Sequence, residues 1–322
     1  MIISNRQIAE GLQRLGLAYM ASPLSSRKTD KLIFLCGANR ATNVPSFRRE
    51  AVKRFIEKSP GYKVIYAEPV FNELIRIHQG RSRTNALDLE HEITNLVDKV
   101  IIVMESAGAI CELGAFAHSE LRKKLIVLND NAHRSQESFI NTGPLAAVSD
   151  SKGTVLWYPM DQSITNRVDG IGITFDELSK ALGGKVAEEV VTLPNITATK
   201  QHLYFVHDLI YLIGPATYKE LIAVLELMFG RRSWDVVGSL VGVLRSAGLI
   251  VQPNEGTSYT CALPQPFFQH PPSFVKLTAR IKHYHLKNNP ERFNLGSDRG
   301  DDSGGTRPTP KSGDRRARKR AA

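Results

Sequence analysis

Cysteine is scarce. Cys36, Cys111 and Cys261 are 3 residues in 322, odd in number and far apart. That excludes a disulfide framework, and the lack of any CxxC pair removes the usual zinc signature. A reducing, cytoplasmic setting is the natural expectation, with no metal site. Long apolar runs are missing too. No stretch approaches the roughly 18 consecutive apolar residues of a membrane helix. The opening residues, MIISNRQIAEGLQRLGLAYM, mix charge into their apolar positions. They predict a short amphipathic helix within 1–28 rather than a signal peptide, which needs an unbroken apolar region. No membrane partner is expected.

Acidic residues run short at one end only. The formal charge is +10, yet from Arg280 to Ala322 there are 12 Lys and Arg against 5 Asp and Glu. That segment holds +7 and the first 279 residues only +3. The body therefore gives no general argument for nucleic-acid binding. From Gly296 onward almost nothing apolar remains to bury, so 280–322 is read as a basic, largely disordered tail. Its run Arg315–Arg320, RRARKR, suits a nucleic-acid backbone and equally a solubilising end.

What is present is an ordinary apolar fraction, 42%, in a chain long enough for two domains. Lys31–Gly37 (KLIFLCG), Tyr62–Tyr66 (YKVIY), Lys99–Met104 (KVIIVM) and Lys124–Leu128 (KLIVL) are short apolar runs, and Thr154–Tyr158 adds another. Between them Phe47–Glu57, Phe71–Gln79, Asn85–Leu96 and Ile110–Ser119 have helical spacing. A further short helix fits Phe175–Leu182. The alternation predicts an α/β fold over 29–190, a parallel sheet covered by helices on both faces. Ligands of such sheets sit beyond the carboxyl ends of the strands. Gly37–Asn39, Glu68, Glu105 and Asn129 all fall there.

The pattern breaks around Gly183–Pro194, and 195–270 reads as a smaller domain. Helices are expected at Lys200–Leu212, Ala216–Phe229 and Ser233–Ala247, the last capped by Ser233 and stopped by Gly248. Leu249–Gln252 and Ser258–Ala262 then flank PNEGT as a hairpin. That order is the order of a small winged-helix domain. Its third helix has Trp234, Asp235 and Arg245 but no dense basic face, so major-groove reading is not its expected task.

Chemistry concentrates in Glu105–Phe116, ESAGAICELGAF. Small residues after a buried strand, here Ser106 and Gly108 as Gly37 is after the first strand, let a ligand approach the backbone. The helix that follows brings free N–H groups and its positive end to the same point. Glu112 is expected within the first turn or so, pointing back to the strand ends. The helix field would favour its anion, which suits a nucleophile or a cation-stabilising carboxylate rather than a proton donor. A purely local capping carboxylate is the plainer alternative. Glu90 lies eight residues before Asp98, on the side of its helix that holds Ile93 and Val97. A carboxylate on that inward side is costly unless paired or liganded. His91 and Glu92 read as surface residues, and Asp98 as a turn or cap. Asn39, in CGAN, can bond a sugar hydroxyl or close an Asx-turn. There is no GxxxxGK[ST] and no dinucleotide glycine spacing.

Taken together, these segments resemble the nucleoside 2-deoxyribosyltransferase-like superfamily, and more closely the effector proteins encoded beside bacterial retron reverse transcriptases. The matching segments are IFLCGAN (33–39), LDLEHEITNLVDKVIIVMES (87–106), GAICELGAFAHSELRKKLIVLND (108–130) and SFINTGP (138–144). A winged-helix domain after the catalytic one is also typical of those effectors, so the resemblance covers nearly all of the chain except the tail. It implies that Glu112 is the nucleophile attacking the anomeric carbon and that Glu90 contacts the base and assists proton transfer. The deoxyribosyltransferases have an aspartate six residues before the nucleophile. Here Ser106 stands at that position with Glu105 beside it, which tells against deoxyribosyl transfer. Similar retron effectors have Glu-Ser there, and their group includes NAD-hydrolysing members.

The resemblance thus implies an N-glycosidic bond hydrolase, most simply an NAD glycohydrolase with NAD as substrate and no cofactor. Gly37, Asn39, Glu105, Ser106 and Gly108 would then contact substrate. The implied setting is a toxic antiphage effector held inactive by a reverse transcriptase and its multicopy single-stranded DNA/RNA product. Self-assembly into an oligomer or filament is a further option. Nicotinamide is already a cationic leaving group, so one nucleophile and no histidine acid fit NAD better than a neutral base. Two alternatives remain at this point. One is a nucleoside, nucleotide or DNA N-glycosidase or deoxyribosyltransferase, and the other a non-enzymatic nucleic-acid-binding regulator.

Overall fold

The computed structural model describes residues 1–26, 29–79, 85–118, 120–161, 169–183, 188–252 and 257–293. Most of the basic tail, RRARKR included, and most of the expected hairpin turn lie outside the described residues.

The apolar runs form one parallel sheet of 5 strands. They are β1 Lys31–Cys36, β2 Tyr62–Ile65, β3 Lys99–Val103, β4 Leu125–Asp130 and β5 Thr154–Tyr158, in the order β2-β1-β3-β4-β5. Every residue of β1 and of β4 is buried. A strand covered on both faces has no polar side, which is why these segments read as continuous apolar runs.

The helices in chain order are α1 Arg6–Ala21, α2 Phe47–Glu57, α3 Ala67–Ile77, α4 Ala86–Leu96, α5 Ala107–Phe116 and α6 Ala146–Asp150. Then come α7 Phe175–Leu182, α8 Lys200–Ile213, α9 Tyr218–Phe229, α10 Val236–Ser246 and α11 Pro272–Asn288. On one face of the sheet Ile33, Ile101 and Ile126 meet Val52 and Ile56 of α2 and Leu178 of α7. On the other, Phe34, Ile102 and Val127 join a larger cluster that continues through α4, α5 and α8. Among the described residues no helix is long and apolar enough to cross a membrane.

α3 begins at Ala67, four residues before the expected Phe71, and three other helix starts differ from expectation, each for a local reason. α5 begins at Ala107, three residues early, because Ser106 Oγ accepts from Ala109 N and caps the helix there. α10 begins at Val236 with Asp235 as its N-cap, while the expected cap, Ser233, donates its hydroxyl to Asp235 Oδ2 at 2.6 Å. α9 begins at Tyr218, because Thr217 and Glu220 close a capping box and leave Ala216–Thr217 extended.

Beyond α8 the order is β6 Ala216–Thr217, α9, α10, β7 Ile250–Val251 and β8 Ser258–Cys261, with β8 antiparallel between β6 and β7. This unit packs firmly on the sheet's helices. Gly242 lets α10 lie against α3, for a Cβ there would fall 2.9 Å from Val70 Cγ1 and 3.2 Å from the Val70 carbonyl oxygen. Glu73 of α3, fully buried, accepts from Arg245 of α10, from Tyr259 of β8 and from Arg76. Asp98 does more than cap a turn: it accepts from Leu32 N at 2.8 Å and from Lys200 Nζ at 2.8 Å, joining β1 to α8.

Candidate active site

The strand order reverses between β1 and β3, and a crevice opens where chains leave such a reversal in opposite directions. A cavity of about 220 Å³ lies there, bordered by Cys36, Arg49, Glu68, Phe71, Glu90 and Glu112 among others. Its floor is organised by an arginine. Arg48 and Arg49 occupy the first turn of α2, where the helix field repels cations. Each must therefore find anions elsewhere, and each does. Arg49, 2% exposed, donates to Glu68 Oε1 at 2.9 Å, to Asn39 Oδ1 at 2.7 Å and to the Leu35 carbonyl at 2.9 Å. Its guanidinium lies 4.6 Å from the centre of the Tyr66 ring. Asn39 Nδ2 donates to Glu68 Oε1 at 2.8 Å, so both ends of that amide are engaged by the protein. Burial pushes the Glu68 carboxyl up, but the bonds and charge of Arg49 outweigh it and hold Glu68 below the ordinary value.

Glu90 comes from α4 and Glu112 from α5, and both face this cavity. Burial, then the charge of Glu68, pushes Glu90 up to about 7. Burial, then the charge of Glu90, pushes Glu112 up to about 7 as well. Glu112 Oε2 is buried with no hydrogen-bond partner among the described residues. The expectation that the helix field would favour the Glu112 anion is corrected here. Because α5 starts at Ala107, Glu112 falls in the second turn, beyond the reach of that field. Desolvation and a like-charged neighbour then prevail. At neutral pH the two carboxyls compete for protons, an arrangement suited to acid–base work. The Cys36 thiol is pushed well up by burial and by Glu112, so it stays protonated.

The other sequence candidates lie nearby but apart. Glu105 Oε1 accepts from Ala38 N at 3.1 Å and from the Ser46 hydroxyl, and Oε2 from Arg48 Nη1 at 3.2 Å. Arg48 in turn holds Asp169 at 2.8 Å. Glu105 and Ser106 border a second depression of about 370 Å³, with Ile110, Asn129, His133 and Asn141. Ser106 spends its hydroxyl oxygen on the α5 cap. Gly37 has φ +146°, and a Cβ there would sit 3.1 Å from both Arg49 Cδ and Glu105 Oε1. The absence of a side chain there leaves room for both of these buried side chains. Gly108 meets nothing closer than Ser106 Oγ at 3.7 Å, so space there is open.

His91 and Glu92, read as surface, are both half-buried. The His91 ring stands edge-on to Phe116 of α5, with ring centres 5.8 Å apart, because α4 is flanked by α5 as well as by the sheet. Arg49, Phe71 and the pairing of Glu68 escaped the sequence reading. Two arginines in the first turn of α2, against the helix field, were the signal that could have found them. Among the described residues no group of three or more His, Cys, Asp and Glu is placed to hold a metal ion.

Comparison with known proteins fits this geometry. Residues 45–252, which include Arg49, Glu68, Glu90 and Glu112, match the family described as STM3845 retron effector protein. The Escherichia coli protein named "Retron Ec73 putative ribosyltransferase/DNA-binding protein" is 34% identical over 281 residues, covering 82% of this chain and 88% of that protein. The E. coli "Retron Ec86 putative ribosyltransferase/DNA-binding protein" is 39% identical over 114 residues, 35% of this chain and 36% of its own length. A match of that breadth, extending through the cavity and the helices beyond it, places the chain in the retron effector family.

Proposed function

We propose that this effector hydrolyses an N-glycosidic bond, with NAD as substrate, and that its reaction is the toxic output of a retron. The observation that carries this reading is the pair Glu90 and Glu112, both pushed to about 7 in one cavity at the strand-order reversal. The names of the two E. coli relatives, which include ribosyltransferase, support chemistry at a ribosyl carbon.

Breaking the bond from C1′ to the pyridinium nitrogen sends the bonding electrons to the ring, which leaves as neutral nicotinamide. The sugar is left with oxocarbenium character, and a carboxylate close to C1′ stabilises or captures it. Glu112 has that role. Glu90, on the facing helix, takes the proton of the water that adds to C1′, giving ADP-ribose. Glu68, kept ionised by Arg49, supplies negative potential without joining the proton traffic. Gly37, Asn39, Glu105, Ser106 and Gly108 shape the surroundings and the approach to the sugar.

A second reading has a specific observation behind it. A carboxyl at about 7 is protonated in a large fraction of molecules at neutral pH, so Glu90 can act as general acid toward a neutral base. That favours a nucleoside, nucleotide or DNA N-glycosidase.

We also read the unit from α8 to β8 as a winged-helix domain, following a catalytic domain over 29–190. Its helix–strand–helix–helix–strand–strand order and the β6-β8-β7 sheet support this. In this reading the reverse transcriptase and its DNA product hold the effector silent. The test supplies NAD and deoxynucleosides in parallel to protein activated by perturbing that complex, with products separated chromatographically. Nicotinamide and ADP-ribose are expected. Free bases with NAD intact would transfer the assignment to the second reading.

A further inference from the structure

We infer that the exposed side of α11 is the chain's nucleic-acid-binding surface, where Lys276, Arg280 and Lys287 seat a sugar–phosphate backbone. This does not depend on the glycosidic reading, since binding and turnover are measured separately.

In a helix–helix–helix–hairpin unit the third helix is the one that would enter a groove. Here that helix is closed off. Val237 to Leu244 of α10 are all buried, Gly242 lies against the backbone of Val70, and Arg245 is held by Glu73. A polyanion must be met elsewhere if it is met at all.

α11 is 17 residues long, PSFVKLTARIKHYHLKN, and contains no Asp or Glu. Its inner face, Phe274, Leu277, Ile281 and His285, is buried against the body. Lys276, Arg280, His283 and Lys287 follow one another at i, i+4, i+7 and i+11, and all four are exposed. At 1.5 Å per residue they form a single line about 16 Å long. Some exposed basic side chains elsewhere have acidic partners, as Arg6 has Glu10 at 2.9 Å and Arg40 has Glu50 at 2.9 Å. None of the four α11 residues takes part in an ion pair between described residues. The neighbouring line, Val275, Ala279 and Leu286, is exposed and apolar, and it separates this row from Lys282, whose ammonium lies 5.1 Å from the centre of the Tyr211 ring. Lys276, Arg280 and Lys287, with no acid between them and no ion pair among the described residues, match the regular charge of a nucleic-acid backbone, and binding would be driven by release of its counterions.

The test measures binding of a labelled oligonucleotide, single-stranded and as duplex, to the full-length protein across a salt series. Lys276, Arg280 and Lys287 are replaced together by Gln. The slope of log affinity against log salt should become shallower by about 2.7 on duplex, or about 2.1 on single strand. Affinity at low salt should fall at least roughly tenfold, in the same step. Because the whole basic tail remains in both proteins, the difference belongs to α11. The variant leaves the buried face of the helix untouched, and an unchanged melting temperature checks this. A second variant, Lys276→Arg with Lys287→Arg, should keep the parental slope, and Val275→Ser with Leu286→Ser should bind as the parent does. An unchanged slope in the triple variant overturns the inference. So does a parent protein that binds no oligonucleotide while its triple variant loses affinity for an acidic protein partner.

Discussion

Replacing Glu112 by Gln should abolish turnover and at the same time make the protein more stable. The side chain keeps its shape, so the change removes a charge and little else. Its carboxyl is pushed from the ordinary 4.5 to about 7, first by burial and then by the charge of Glu90. Taken in full, that difference corresponds to about 3 kcal/mol of strain in the ionised form. Solvent reaches the cavity, and Glu90 can take up the proton that Glu112 gives up, so about 2 kcal/mol is the fair expectation. The folded protein holds this proton more tightly than the unfolded chain, so folding takes up a proton between about pH 4.5 and 7, and parental stability falls as pH rises through that window. The gain in Glu112→Gln is therefore greatest near pH 8 and nearly gone by about pH 4. With an unfolding entropy of about 2.1 cal/mol/K per residue, a chain of 322 residues gains about 3 °C in Tm near pH 8. Thermal melts of parent and variant across the pH range, beside a nicotinamide-release assay, read both halves. A Tm difference that does not depend on pH would refute the electrostatic reasoning. Retained turnover in the folded variant would remove Glu112 from the reaction.

Arg49→Leu strips Glu68 of its buried partner and should cost about 3 kcal/mol in urea unfolding, much of it regained when Glu68→Leu is added, because an unpaired buried charge is worse than none. A double variant no more stable than the single one would show that the pair is not coupled. Gly242→Val should force α10 off α3, since even the first added carbon would lie 2.9 Å from Val70 Cγ1, with a loss of about 2 kcal/mol and faster hydrogen exchange in α10. Unaltered exchange there would mean that α10 does not depend on this close approach.

Much of the fold was legible because parallel strands buried on both faces leave an unmistakable trace. KLIFLC and LIVLND have no polar alternation, and both became fully buried strands. Glu90 was legible because a charge on an inward helical side needs a reason, and Glu112 because its helix follows the end of a buried strand; the two do border one cavity. What the residues did not reveal were contacts between elements distant in sequence. Arg49 finds Glu68 across 19 positions, and Glu105 finds Ala38 across 67. Local competition was the other blind spot. Ser106 wins the cap of α5 although ESAGA has no apolar spacing to announce a helix, and that shift of nearly one turn carries Glu112 out of the helix's first turn. Likewise, a serine before α10 that looks like a cap is engaged by the aspartate two residues on.

The proton count of the cavity bears on the choice of substrate more than its shape does. Glu68 is committed to Arg49, so the negative charge that can vary lies on Glu90 and Glu112. A cationic pyridinium entering beside them lowers the cost of ionising both, because an opposite charge acts against burial and like-charge repulsion together. It would arrive in a site made more anionic by its own presence, with Glu112 ready at C1′ and Glu90 free to receive a proton from water. A neutral base has the reverse need. It can depart only as it gains a proton, so one of the two carboxyls must stay protonated until the bond breaks. Values near 7 permit either course in the empty site, which is why the arrangement alone supports both readings. The deciding property is which way the substrate moves that balance. Under the NAD reading proposed above, the pyridinium ring, rather than the molecule as a whole, would move the pair toward the doubly ionised state in which two carboxylates could serve as nucleophile and base.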